Sequence, residues 1–227
     1  MELDIREKYL QIVEEIRKRL IWAEMLSNEP NNNFVFIEST SLQIRKILEL
    51  VAYLSVLVNR EKLNHKDRNE WHPEKIVEVL GTKTTIFYPL PSYMIPPNKE
   101  RSQPSLIPLG YEAALSQIEF IQAYKMCGNI LHAQHPLKNK LNIEKYATEN
   151  KKLLNKLKNL LRQHTVGIRH GINQYTFLHV EIDFSNNEQT KPPKITGYKS
   201  LIFNEKQLKQ LFNMDFTNIM DNKGQPS

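Results

Sequence analysis

The sequence predicts a mainly α protein: a helical bundle with a small antiparallel β-element near its C-terminus. Three observations carry that expectation. Apolar residues recur at spacings of three and four through several long segments, which is the helical period. The period changes to two only after residue 164, where β-branched and aromatic residues alternate with polar ones. The composition, 40% hydrophobic and 25% charged over 227 residues, is that of a chain able to bury a core without disulfides.

Residues 3–27 read as a helix, with Ile5, Tyr9, Ile12, Ile16 and Leu20 on one stripe, stopped by the Asn28–Asn33 turn cluster around Pro30. The next helix, 38–63, is apolar nearly all round, which places it at the centre of the fold. Its charged exceptions, Glu38, Arg45 and Glu49, lie seven and four residues apart and so project from about the same face. A polar break over 64–69 precedes a short helix over 70–80, with Pro73 in its first turn and Gly81 ending it. Thr84–Tyr88 is expected as a strand.

Residues 89–108 hold six of the twelve prolines and read as a long loop of the binding, lid or linker kind. Helices follow at 111–133 and 143–163, the first ended by Pro136. Gly128, inside the first, suggests close backbone approach by a neighbour, because an interior glycine costs up to about 1 kcal/mol against alanine. Strands are expected at 165–168, 175–182 and 195–202, then a short helix at 205–213 and a frayed end at 221–227. The domain reading is an N-terminal helical half over 1–88, the proline-rich loop over 89–110 and a C-terminal half with the β-hairpin over 111–220, or a single domain over 1–220.

The net charge of +6 is concentrated in one place: eight basic residues stand against Glu144 and Glu149 between Lys138 and Arg162. The helix bearing Lys151, Lys152, Lys156 and Lys158 therefore reads either as a nucleic-acid-binding stripe or as a solvated face. The charged N-terminus lacks a signal-peptide core, and the longest apolar run, Leu50–Val58, is half the ~18 residues a spanning helix needs. Membrane association is not expected, and the single cysteine, Cys127, fits a reducing, cytoplasmic compartment. Walker, Rossmann and Gly-x-Ser-x-Gly patterns are missing, and no cofactor is expected.

Among ionisable residues, Arg45 suits gripping a phosphate while Glu49 orients it or acts as a base; the alternative is a structural ion pair of Arg45 with Glu49 or Glu38. His132 stands one turn after Gly128 near a helix C-terminus, where the dipole favours its protonated form; it suits phosphate binding, general acid work or capping. His132, His135 and His164 lack a carboxylate nearby in sequence, so no metal site is expected. His164 lies on the stripe of Leu153, Leu157 and Leu160 and reads as a core histidine.

Several fragments together resemble an uncharacterised group of helical bacterial proteins over roughly 35–205. They are Glu38-Ser39-x2-Leu42-Gln43-x-Arg45-Lys46-Ile47-x-Glu49, Trp71, Phe87-Tyr88-Pro89 with Pro91, Cys127-Gly128-x2-Leu131-His132 and Leu160-Leu161-x2-His164. His135-Pro136 departs from the Asn-Pro more usual in that group. More loosely, a long helix with Arg-x3-Glu packed among other helices is similar to the HEPN superfamily. That resemblance implies RNA binding or metal-independent endoribonuclease activity in bacterial defence or toxin–antitoxin systems, through an Arg-x4-6-His signature. Arg60-x4-His65 has that spacing but lies in a charged break, whereas the superfamily sets the motif at a helix start near the end of the domain. Arg45, Glu49 and His132 are the first-choice catalytic residues, and Arg60 and His65 the second. RNA is the expected partner. The rival reading is a non-catalytic helical interaction module that binds a protein through the proline-rich loop, and homo-oligomerisation stays open.

Overall fold

The computed structural model describes residues 2–29, 33–70, 72–84, 87–100, 102, 104–132, 142–171, 174–185 and 191–200. Helices α1 (Glu2–Ser27) and α2 (Phe34–Val58) come first, then a 3-10 turn (Arg60–Lys62), α3 (His65–Arg68) and α4 (Pro73–Lys83). Strands β1 (Leu90–Ile95) and β2 (Ser105–Pro108) follow, then α5 (Gln117–Leu131) and α6 (Ile143–Leu161). Strands β3 (Gln163–Gly171), β4 (Gln174–Glu181) and β5 (Lys194–Ser200) complete the described chain. The architecture is helix-rich with one antiparallel sheet of five strands, ordered β2-β1-β3-β4-β5.

The sheet is larger than the expected C-terminal element because the proline-rich segment supplies two of its strands. Proline removes one backbone donor and fixes φ, which a strand tolerates at its ends. Pro96 and Pro97 follow the last residue of β1, Pro104 precedes β2 and Pro108 closes it, so these prolines punctuate strands instead of interrupting them. The segment is pinned at both ends: the Tyr111 hydroxyl donates to the Pro89 carbonyl at 2.9 Å, and the Leu109 amide donates to the Pro91 carbonyl at 2.9 Å. The expected strand at 84–88 is not found among its described residues; Phe87 and Tyr88 are buried just ahead of β1.

Helix boundaries moved where caps outweighed apolar period. Asn33 starts α2 four residues early by accepting from the Val35 amide. Helix α4 runs through Gly81 to Lys83. Helix α5 starts at Gln117, because Ser116 and Glu119 form a capping box that the 111–116 turn leads into. Asn142 caps α6. The expected features at Pro136, 205–213 and 221–227 lie outside the described residues.

Helix α2 is central, as its composition demanded: it packs on α1, α4, α5, α6 and β3. One hydrophobic cluster holds Ile16 and Leu20 of α1, Ile44, Leu48 and Val51 of α2, Phe120 of α5, Leu157 of α6 and Val166, Leu178 and Val180 of the sheet. It therefore joins residues on both sides of the proline-rich segment. Buried Asn150 locks α6 to α2, its Nδ2 donating to the Ile37 carbonyl at 3.0 Å and lying 2.9 Å from Ser41 Oγ. No helix among the described residues is long and apolar enough to cross a membrane.

Candidate functional site

Two lines of residues spaced by four face each other where α2 meets α5. Arg45, Glu49 and Tyr53 run along α2, and Tyr124, Gly128 and His132 run along α5 to its C-cap. The Arg45 guanidinium lies over the Tyr124 ring, 4.0 Å from its centroid, and its Nη2 donates to the Tyr124 hydroxyl at 2.6 Å. Its Nε stands 3.7 Å from Glu49 Oε1. Its Nη1 has no hydrogen-bond partner among the described residues, and lies against Gly128. A Cβ at that position would sit 2.6 Å from Nη1, so the glycine expected to permit close approach does so for a side chain, the guanidinium itself.

The arrangement is half-open: the Arg45 side chain is 27% exposed and Glu49 17%. Glu49 is shared, its other oxygen receiving Lys46 Nζ at 2.7 Å. Burial raises the Tyr124 phenol above its ordinary range; Arg45 opposes the shift, and Glu49, Glu74 and Tyr53 add to it. The charges of these groups therefore act on one hydroxyl, which Arg45 contacts directly. Glu74 of α4 has a buried oxygen, Oε2, with no hydrogen-bond partner among the described residues. Cys127, next to Gly128, is buried, and burial pushes its thiol up to about 12 despite Arg45, so it stays protonated at neutral pH.

His132 is not bonded to this nest among the described residues. It is exposed at the C-cap of α5, one turn past Gly128, and no hydrogen bond or ion pair ties it to Arg45 or Glu49 among the described residues. No hydrogen bond or ion pair links Arg60 and His65 among the described residues. Arg60 approaches Asp4 at 4.0 Å, and His65 opens α3 with its ring near Asn69. His164 is a satisfied core histidine. Its Nδ1 donates to the Leu161 carbonyl at 2.9 Å, which leaves Nε2 to accept from the Tyr9 hydroxyl at 2.8 Å. Burial lowers its pKa to about 4. His135 lies outside the described residues, and among the described ones no three metal-ligating side chains cluster.

The basic helix is partly neutralised. Lys156 pairs with Glu119 of α5, Lys158 with Glu24 of α1 at 2.7 Å, and Lys152 with Glu149 at 2.8 Å. Lys151 is exposed with no ion pair among the described residues. Two of the four lysines thus hold α6 to other helices.

Sequence reasoning missed Tyr124 and Glu74. Tyr124 was legible in part: it stands one turn before Gly128, on the same line as His132. Glu74 had no signal, since only the packing of α4 beside α2 and α5 brings it there. The chain matches no family model, no curated protein and no solved structure.

Proposed function

We propose that the protein is an RNA-directed, HEPN-like helical protein of bacterial defence or toxin type, with Arg45 as its phosphate contact. One observation carries the reading: a guanidinium held by Tyr124 and Glu49, in the space Gly128 leaves, keeps Nη1 without a hydrogen-bond partner among the described residues while part of the side chain faces solvent. A cation held in place ahead of time loses little freedom on binding, and arginine suits the planar, two-point recognition of phosphate. Glu49 serves to orient Arg45 in this reading, since Lys46 and Arg45 already neutralise its carboxylate. If cleavage occurs, it is metal-independent, with Arg45 stabilising charge on the phosphate and exposed His132 moving the proton.

The test is EDTA-resistant RNA binding and degradation by the wild type, Arg45→Gln and His132→Ala. Arg45→Gln should abolish both, and His132→Ala should abolish degradation while binding persists. Intact activity in both folded variants would remove this site from the function.

A second reading, a protein-interaction module, is favoured by the β1–β2 arm. Tyr93 pairs with Ile107 across the arm, and these two, with Ile95 and Leu109, are exposed at alternating positions. Co-purification separates the two readings: the RNA-directed protein carries 260 nm absorbance that Arg45→Gln removes, whereas the module does not.

A further inference from the structure

We propose that the cavity between β1, the 109–114 turn and the C-terminal end of α6 is a nucleoside monophosphate subsite that takes one unstacked base of a single RNA strand with its phosphate. The inference rests on the RNA-directed reading but uses none of the residues placed in the Arg45 nest. The cavity measures about 230 Å³, below the ~300 Å³ at which sites for larger ligands begin, so it suits a single planar unit. Pro91, Tyr93, Gly110, Asn159, Arg162 and Gln163 are among its lining residues.

Their chemistry is that of a base platform with a phosphate contact. Tyr93 is 52% exposed, so its ring face is available for stacking. Tyr93 of β1 and Arg162, the C-cap of α6, both line the cavity. Arg162 is exposed, and its guanidinium has neither hydrogen bond nor ion pair among the described residues, in contrast to Lys156 and Lys158 one turn or so earlier on α6. An aromatic ring beside an uncommitted guanidinium is how proteins hold an unstacked nucleotide: the base stacks, and the cation meets the phosphate.

The rim supplies polar groups as well. Asn159 donates its amide to the Ala113 carbonyl at 2.8 Å, which fixes the side chain and leaves its oxygen as an acceptor. Gln163 also borders the cavity, and its buried Oε1 has no hydrogen-bond partner among the described residues. Gly110, at φ 72°, turns the chain beneath the site in the left-handed region that favours glycine.

Calorimetric titration with AMP, and separately with a short single-stranded oligoadenylate, tests this on the full chain. AMP should bind, and Tyr93→Ala and Arg162→Gln should each weaken it roughly tenfold or more. Ribose 5-phosphate, which lacks the base, should bind more weakly than AMP and should be indifferent to Tyr93→Ala. Both side chains are exposed, so thermal unfolding should match wild type. No AMP binding at millimolar concentration, or AMP affinity indifferent to both variants, overturns the subsite. Oligoadenylate affinity that falls in the same variants identifies a strand as the source. AMP binding without oligoadenylate binding overturns the strand assignment and the RNA-directed reading, and leaves a free-nucleotide site. Oligoadenylate binding lost in Arg45→Gln but unmoved by Tyr93→Ala and Arg162→Gln overturns the subsite and spares that reading.

Discussion

Replacing Gly128 by alanine separates stability from site geometry. In a helix interior, alanine is favoured over glycine by roughly 0.8–1 kcal/mol. Against that gain, the new Cβ would stand 2.6 Å from Arg45 Nη1, closer than atoms tolerate, with Arg45 Cζ next at 3.9 Å. The obstructing atom is the far end of a flexible side chain, so the guanidinium moves and the backbone stays. What is then lost is the stacking on Tyr124, about 0.5–1 kcal/mol for a partly exposed pair, and a charged hydrogen bond worth about 1.5 kcal/mol at the low end. The losses come to about 2–2.5 kcal/mol and outweigh the gain, so urea unfolding of Gly128→Ala should show a net destabilisation of about 1–1.7 kcal/mol while Arg45-dependent RNA binding falls. In an Arg45→Ala background the obstruction is gone, and Gly128→Ala should stabilise by about 1 kcal/mol. A Gly128→Ala effect of the same sign and size in both backgrounds would refute the argument, since it would mean that Arg45 does not occupy the space.

Three further outcomes follow from buried or paired groups. Folded His164 sits near pKa 4 against ~6.5 in an unfolded chain, so acidification protonates the unfolded state first. Its stabilisation is complete above pH ~6.5 and lost toward pH 4, up to roughly 3 kcal/mol; the urea midpoint should drop between pH 7 and 5, and His164→Gln should remove most of that drop. Asn150→Ala leaves the Ile37 carbonyl and Ser41 without their partner and should cost about 2 kcal/mol in the same assay; a loss under about 0.5 kcal/mol would show that the clamp is dispensable. If the basic helix meets RNA, Lys151→Gln should reduce the log–log salt slope by about 0.7, whereas Lys158→Gln, held by Glu24, should leave the slope unchanged and cost up to about 1 kcal/mol of stability.

Much of this molecule was determined by its sequence, wherever a local rule operates. The apolar surround of α2 required a central position, the stripe through Leu153, Leu157 and Leu160 required His164 to be a core residue, and Gly128 required a close neighbour. These follow from burial and backbone sterics, which depend on nearby residues. Helix starts were set by caps that the apolar period does not show, although the Ser116–Glu119 box has a local sequence pattern of its own. The tertiary structure decided the rest. That Gly128 faces Arg45, that the prolines punctuate two sheet strands, and that Lys156 and Lys158 are tied to Glu119 and Glu24 all depend on partners 37 to 134 residues apart for the ion pairs and on strand register for the sheet. Ion pairs and strand pairing have no period along the chain. A lysine looks the same in sequence whether it meets water, a carboxylate or a phosphate, and only the packing of α6 against α1 and α5 chooses among them.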